Sequence, residues 1–351
     1  MDKPFVAKLR RIDPYVPGEQ PQSDTIIKLN ANENPYPPAP GVQNVLRTFD
    51  AARLARYPDA NGRALKSALA ARFGLRPTQV FLGNGSDDVL ALAFQSFFCS
   101  DLPIVYPDIT YSFYPVWCDL FRIPYRTLPL DDDFCIDLRD YDAPNGGVIV
   151  PNPNAPTGRG LTLDALDDLL RHNTDCVVII DEAYVDFGGQ SAVPLLETYE
   201  NLLIVQTMSK SRSLAGLRVG YALGSETLID TLEAVKNSYN SYTMDTLTLA
   251  AAEAAVRDED YFQQICRRVI ATRERTAEAL RALGFVVSPS QSNFLFVTHP
   301  RKDAPAIFAY LREQGIFVRY FKLPRIDTYL RITIGTDEQM DRLLDALRSY
   351  L

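Results

Sequence analysis

The chain has 351 residues, of which 46% are hydrophobic and 23% are charged, and its net charge is −8. This length and composition are typical of a globular enzyme with one large or two medium domains. The negative charge argues against non-specific nucleic-acid binding, and no apolar run approaches the roughly 18 residues that a membrane-spanning helix needs, so we expect neither nucleic acid nor membrane as a partner.

The five cysteines and two histidines limit the chemistry further. The cysteines include no Cys-x-x-Cys pair, which predicts reduced thiols in a cytoplasmic protein. The first residues lack the charged-then-apolar pattern of a signal peptide, which favours the same location. Two histidines are too few for a histidine-rich metal site, and we predict no metal.

Residues 1–40 are rich in proline and asparagine and end in the segment Asn30-Ala-Asn-Glu-Asn-Pro-Tyr-Pro-Pro38. Proline fixes φ and lacks an N–H donor, so we predict an extended arm rather than a helix. Two interpretations stay open at this point. The arm is either a poorly ordered terminus or a segment that crosses a binding site or a neighbouring subunit.

A predicted strand at Gln79–Leu82 leads into the turn Gly83-Asn-Gly-Ser-Asp-Asp88 and an apolar helix from Val89 to Phe98. A glycine-rich turn at a helix N-terminus presents free N–H groups to an anion, which indicates a phosphate site. An ordinary capped helix is the alternative. Asp88 stands where a dinucleotide fingerprint has its third glycine, which argues against a nicotinamide oxidoreductase.

Two apolar runs end beside polar residues that suit catalysis. Val177–Ile180 precedes Asp181, and Leu202–Val205 comes shortly before Lys210. Ligands of an open α/β sheet bind outside the carboxyl ends of its strands, so we expect Asp181 and Lys210 to share a site. Lys210 is a candidate Schiff-base former, and its hydroxyl and arginine neighbours suit a phosphate; a solvated Lys-Ser loop is the alternative.

The remainder of the chain predicts one more polar loop and a second α/β unit. Pro151–Gly158 is a rigid polar loop with no helix or strand pattern, which is typical of a functional loop. A long helical pattern runs from Met244 to about Ala282, with a break near 257–260. Short strands then alternate with two helices, which indicates a smaller domain with a boundary near 240–250.

Taken in chain order, these motifs resemble the fold type I pyridoxal phosphate aminotransferases, and among them the histidinol-phosphate aminotransferases closely. The resemblance implies an α/β fold, with a large domain around a mainly parallel central sheet and a smaller α/β domain. Residues 1–40 would be an N-terminal arm, 41–245 the large cofactor-binding domain and 246–351 the small C-terminal domain. The matching segments are Leu29–Tyr36, Arg56–Asp59, Gly83–Asp87, Ser209–Lys210, Leu214–Gly220 and Leu330–Thr336.

The resemblance also implies how pyridoxal 5′-phosphate would be held. Lys210 would bind it as an aldimine and move protons at the substrate, Asp181 would keep its ring nitrogen protonated, and Tyr184 would donate to its ring oxygen O3′. The other implied contacts are Gly85, Ser86, Asp87, Thr207, Ser209 and Arg218 at the phosphate, Tyr111 on the ring, Asn154 near O3′, and Tyr57 from the neighbouring subunit of a homodimer. One departure is that Ala155 replaces the asparagine that bonds O3′ in the family.

The implied substrates are L-histidinol phosphate and glutamate or 2-oxoglutarate. Arg331, joined by Arg319, would bind their anionic groups, and Asn32 and Tyr36 of the arm would cover them. Two further arginines are weaker candidates for the same role, Arg212 and Arg325.

Three other functions share parts of this pattern. An aromatic amino-acid aminotransferase and a threonine-phosphate decarboxylase would use the same fold and cofactor. A cofactor-binding domain of a transcription regulator is disfavoured, because the arm begins within 30 residues and the chain is acidic.

Overall fold

The computed structural model describes residues 3–16, 18–21 and 26–351. Within those ranges the chain forms ten α-helices, α1 to α10, which are Pro40–Thr48, Arg63–Phe73, Ser86–Phe97, Phe113–Phe121, Leu163–His172, Glu226–Tyr239, Thr246–Arg257, Glu259–Ala282, Ala304–Glu313 and Asp337–Tyr350. The strands in the same ranges, β1 to β13, are Ile27–Lys28, Val80–Gly83, Ile104–Pro107, Tyr125–Leu128, Gly147–Pro151, Val178–Asp181, Leu202–Thr207, Gly220–Gly224, Val286–Val287, Phe294–Thr298, Ile316–Phe317, Arg319–Tyr320 and Tyr329–Thr333.

The largest sheet has the strand order β2-β8-β7-β6-β5-β3-β4. Strand β8 is antiparallel to β2 and β7, and the other neighbours run parallel. Every residue of β6 and β7 is buried, with Ile204 packed into the core on one face and Val205 into the core on the other. The predicted, mainly parallel central sheet is therefore confirmed, and it is covered on both faces as continuous apolar strands require.

A second sheet has the order β12-β13-β10-β9 and is antiparallel throughout. It packs with α8, α9 and α10 around a separate apolar core. Strand β1 of the arm pairs in parallel with β11, so that Ile27 lies opposite Ile316. Where it is described, the arm contains no α-helix before Pro40 and has one 3-10 turn at Val6–Lys8; the arm residues 1–2, 17 and 22–25 lie outside the described ranges.

Helix α7 packs against α1 and α2, and its alanine-rich face enters the core beside the seven-stranded sheet. Ala251 and Ala252 of this helix are fully buried there. The break predicted near 257–260 is observed at Asp258, between α7 and α8. The domain limits at 40 and 245 stay a prediction.

Several element boundaries differ from the prediction. Helix α3 begins at Ser86 and not at Val89, because Gly85 takes a φ of +91° and the turn closes directly into the helix. Strands β4 and β8 were not predicted, since β4 is a mostly exposed edge strand and β8 begins and ends with a glycine. Among the described helices, none is both long and apolar enough to cross a bilayer.

Gly220 is where the large sheet meets the start of α3. It pairs with Gly83 and with Thr207, and a Cβ atom placed on it would lie 2.3 Å from Gly85 C and from Ser86 N. Only a residue without a side chain allows the backbones to approach this closely.

We expect Gly220→Ala to lower the free energy of unfolding by about 1–3 kcal/mol or more, because backbone atoms must move to admit the methyl group. Gly216→Ala is the matched control, since a Cβ there meets nothing within 4 Å. Its effect should stay within about 0.5 kcal/mol. Urea unfolding of both variants measures the difference, and equal effects would contradict the close packing at Gly220.

Candidate active site

A cavity that opens to solvent lies at the carboxyl ends of β5, β6 and β7. Its lining includes nine of the residues predicted to bind the cofactor, namely Ser86, Asp87, Tyr111, Asp181, Tyr184, Thr207, Ser209, Lys210 and Arg218. Pro151, Pro153, Ala155 and Ala183 complete it. Asp181 and Lys210 therefore lie in the same cavity, as expected from the sequence.

Asp181 is the last residue of β6 and is buried beneath the cavity. Its Oδ2 accepts a 2.8 Å hydrogen bond from the Tyr114 hydroxyl, and its Oδ1 accepts one of 3.2 Å from the Ala183 N–H. Burial raises the pKa of Asp181 to about 6, although the bond from Tyr114 acts in the opposite direction. Tyr114 is not among the predicted site residues, because its contact with Asp181 joins residues that are 67 positions apart in the chain.

Lys210 lies three residues beyond β7 and reaches back to the arm. Its Nζ donates to the carbonyl oxygen of Ala31 at 3.2 Å, and it lies 6.0 Å from the centre of the Tyr184 ring. Asn34 donates from Nδ2 to the backbone oxygen of Lys210 at 2.9 Å. The arm therefore crosses the site, which decides between the two interpretations left open by its sequence.

The end of the cavity beside α3 offers donors that fit a phosphate. Helix α3 begins at Ser86, which lines the cavity together with Ser209 and Arg218, and the first N–H groups of a helix are free to bind an anion. Arg218 Nη2 bonds Asp87 Oδ2 at 3.1 Å, and Asp87 Oδ1 accepts from Tyr111 at 2.7 Å. Because both carboxylate oxygens of Asp87 are engaged in these bonds, the group of Asp87 that could bind a phosphate is its backbone N–H. Gly85 has a φ of +91°, a left-handed conformation that favours glycine, and a Cβ there would lie 2.5 Å from Arg218 Nη2.

Two arginines face each other on the second sheet, outside the lining of the cavity. The antiparallel register of β12 and β13 places Arg319 directly opposite Arg331. Both guanidinium carbons lie 5.5 Å from the centre of the Phe321 ring. Phe294 connects this pair to the cavity, because its ring lies 5.3 Å from the Arg331 guanidinium and 5.2 Å from the Tyr184 ring.

One buried donor of this pair lacks a hydrogen-bond partner among the described residues. Arg331 Nη2 donates to the Asn30 carbonyl at 3.1 Å, but Nε is buried with no hydrogen-bond partner in the described part of the chain. Burial lowers the pKa of Arg331, and the charge of Arg319 acts in the same direction. Like charges directly opposite each other across two strands destabilise a sheet, so a bound anion would relieve this pair.

The structure does not bring Asn154 into the cavity. Its Nδ2 donates to the Ile109 carbonyl at 2.9 Å and to Thr157 Oγ1 at 3.1 Å, while its Oδ1 accepts from Thr110 at 3.0 Å. Ala155 occupies the lining position instead. The loop that carries both residues uses its polar groups to fix its own shape.

Three other predicted residues lie outside the cavity. Tyr36 packs under the guanidinium of Arg268, 4.4 Å from the ring centre, within the core of the second sheet. Asn32 is buried, and its Nδ2 donates to the Tyr184 hydroxyl at 2.9 Å. Tyr57 is 82% exposed and stacks on Tyr242 at 4.5 Å.

The two weaker arginine candidates have structural partners. Arg212 is buried, with its guanidinium 4.0 Å from the Phe262 ring centre and 3.3 Å from Glu259 Oε2. Arg325 bonds Asp108 and the carbonyls of Leu130 and Asp131. Neither is placed to join Arg319 and Arg331.

Comparison with known proteins places this arrangement in context. The family model for aminotransferases of class I and II matches residues 24–347. Histidinol-phosphate aminotransferase 2 of Dechloromonas aromatica is 56% identical over 344 residues, which cover 97% of each chain. The histidinol-phosphate aminotransferase of Chromohalobacter salexigens is 54% identical over 349 residues, or 99% of each chain. The solved structure of the Sinorhizobium meliloti histidinol-phosphate aminotransferase in complex with pyridoxal-5′-phosphate has a TM-score of 0.83 and 27% identity, covering 93% of this chain and 92% of that one.

The raised pKa of Asp181 predicts how the free energy of unfolding of the cofactor-free protein depends on pH. Its pKa is about 6 in the folded chain against an ordinary value of 3.8, so the folded state holds this proton more tightly than the unfolded state. The contribution of Asp181 to the free energy of unfolding should therefore fall by about 2.4 kcal/mol as the pH rises from 4 to 7. Asp181→Asn should lose this dependence, whereas Tyr114→Phe should enlarge it, because the bond from Tyr114 favours the carboxylate.

Denaturant unfolding at several pH values, with wild type and variants compared at each, measures this difference. Parallel curves for wild type and Asp181→Asn would contradict the burial of an ionisable carboxyl group at this position.

Proposed function

The chain belongs to the family of class I and II aminotransferases, and we propose that it transfers the amino group of L-histidinol phosphate to 2-oxoglutarate, with pyridoxal 5′-phosphate as cofactor. The observation that carries the choice of substrate is the facing pair Arg319 and Arg331, which offers two guanidinium groups to a dianion. The same reaction in reverse forms L-histidinol phosphate from imidazole acetol phosphate and glutamate.

The residues of the cavity fit the cofactor, because phosphate donors, a buried carboxyl group and an amine lie in it together. When bound, pyridoxal phosphate supplies an electron sink for the electron pair left at the carbon that loses its proton. Asp181 would hold a proton on the ring nitrogen through its carboxylate. Lys210 would anchor the cofactor and carry protons to and from the reacting carbon through Nζ.

The remaining contacts follow from where each group lies in the cavity. Tyr184 would donate to the ring oxygen O3′, and Tyr111 would lie against the ring face. The N–H groups of Ser86 and Asp87, with the side chains of Thr207, Ser209 and Arg218, would bind the phosphate.

The arginine pair would bind the anionic end of each substrate. The partnerless Nε of Arg331 supports this role, since a buried donor without an acceptor is costly and a phosphate oxygen would satisfy it. A carboxylate of glutamate would use Arg331 in the second half of the reaction. Arg319 would be needed mainly for the greater charge of the phosphate.

A homodimer with shared sites is part of the proposal. Tyr57 and Tyr242 form a stacked pair whose exposures are 82% and 47%, and Leu54 nearby in sequence is 61% exposed. Exposed apolar groups of this size suit burial against a second copy, where Tyr57 would reach the cofactor phosphate of the partner. The five cysteines are all free, which supports a cytoplasmic location.

A test of the function compares amino donors with the purified protein, added cofactor and 2-oxoglutarate, by following glutamate formation. L-Histidinol phosphate should give the highest kcat/KM. A higher value for phenylalanine or tyrosine would replace the proposed substrate with an aromatic amino acid. Release of carbon dioxide from O-phosphothreonine without glutamate formation would identify a decarboxylase.

Variants of the arginine pair should separate the two substrates. Arg331→Ala should lower kcat/KM about 10- to 100-fold for both L-histidinol phosphate and glutamate, the loss of a charged hydrogen bond. Arg319→Ala should affect L-histidinol phosphate more than glutamate. Arg281→Ala, an exposed arginine of α8, is the control and should leave both values unchanged. Equal losses for glutamate in the two variants would contradict this division.

A further inference from the structure

A chain of hydrogen bonds runs from strand β13 through the arm to Tyr184. The backbone N–H of Asn32 donates to Thr333 Oγ1 at 3.0 Å, and Thr333 Oγ1 also lies 3.0 Å from Asn32 Oδ1. Asn32 Nδ2 then lies 2.9 Å from the Tyr184 hydroxyl oxygen. Thr333 is 2% exposed and Asn32 is 1% exposed, so solvent does not compete for these groups.

The hydrogen bond from the backbone N–H of Asn32 determines which group donates and which accepts in every other hydrogen bond of this series. A backbone N–H can only donate, so Thr333 Oγ1 accepts from Asn32 N and has its own hydrogen left for Asn32 Oδ1. A flipped amide would leave that buried hydrogen without an acceptor, which is costly. Asn32 therefore presents Nδ2 to Tyr184, and the Tyr184 oxygen accepts. The hydroxyl hydrogen of Tyr184 is then free to point into the cavity that this residue lines.

The backbone of Asn32 is held in a conformation that suits this task. Its φ is +55°, a left-handed conformation that asparagine tolerates better than most residues. Asn293 Nδ2 donates to its carbonyl oxygen at 3.0 Å, so both sides of the residue are anchored. The side-chain amide of Asn32 is therefore held at its oxygen by Thr333 and at its nitrogen by Tyr184.

The neighbouring loop, which contains Asn154 and Ala155, explains why the orientation of the Tyr184 hydroxyl matters. Ala155 offers no side-chain donor to the cavity, and the amide of Asn154 is bonded elsewhere. The hydrogen bond to the ring oxygen of the cofactor then depends on how well Tyr184 donates. A phenol that already accepts one hydrogen bond is a stronger and better oriented donor.

We propose that Thr333 and Asn32 are positioning residues that hold the Tyr184 hydroxyl as a hydrogen-bond donor to the bound cofactor. This inference rests on the proposed cofactor but not on the proposed amino donor. It assigns Asn32 a role different from the substrate contact expected from the sequence. It also joins the two ends of the site, because Thr333 lies on β13 two residues after Arg331.

The test is an absorbance titration of the cofactor-loaded protein against pH, without substrate. Donation from Tyr184 stabilises the anionic ring oxygen and so lowers the pH midpoint at which the bound cofactor loses its proton. Asn32→Gly, which keeps the left-handed backbone, and Thr333→Val should each raise this midpoint by about 0.4–1 pH unit, the shift that one hydrogen bond allows. Thr333→Ser keeps the hydroxyl group and should retain the wild-type midpoint.

Two controls separate positioning from a general structural effect. Thr276→Val removes a buried hydroxyl that donates to the Thr272 carbonyl in α8, and it should leave the midpoint unchanged. In a Tyr184→Phe background, Asn32→Gly should add no further shift, because Asn32 acts through the hydroxyl group that is missing there.

An unmoved midpoint in Asn32→Gly and Thr333→Val with cofactor bound would overturn the inference, as would an equal further shift in the Tyr184→Phe background. Failure of the wild-type protein to bind the cofactor would instead overturn the proposed function, so the two outcomes are distinct.

Discussion

The parallel register between β6 and β7 is the constraint on which the cavity depends. It sets Asp181 level with Val205, so the chain that continues to Lys210 stays above the same edge of the sheet. Strand β8 returns antiparallel to β7 and pairs Gly220 with Thr207, which brings Arg218 against Gly85. One set of strand pairings therefore places the carboxyl group, the amine and the phosphate donors within a single cavity. A slip of one residue would turn each of these side chains to the opposite face.

Three consecutive residues of the arm connect that cavity to the second sheet. The carbonyl of Asn30 accepts from Arg331, the carbonyl of Ala31 accepts from Lys210, and Asn32 bonds both Tyr184 and Thr333. Three consecutive arm residues thus contact Lys210, Tyr184 and the arginine that is proposed to bind the substrate anion. The pairing of the arm through β1 with β11 ties this segment to the same unit that carries the arginines. These contacts therefore connect the arginine end of the site to the lysine and tyrosine end.

Local sequence patterns predicted the parts of the site that depend on local structure. Continuous apolar runs are a property of buried parallel strands, and they located Asp181 and Lys210 correctly at one edge of the sheet. The facing of Arg319 and Arg331 depends on a register between strands that a linear pattern does not contain. The same limit explains Asn154, whose side chain is turned by bonds to Ile109 and Thr110 more than 40 residues away.

The most direct test of the account is a crystal structure of the cofactor-loaded protein with L-histidinol phosphate bound. The account predicts the substrate phosphate within about 2.7–3.2 Å of guanidinium nitrogens of both Arg319 and Arg331, with the amine directed towards Lys210. A substrate phosphate that contacts neither arginine, with the pair still facing each other across β12 and β13, would contradict it.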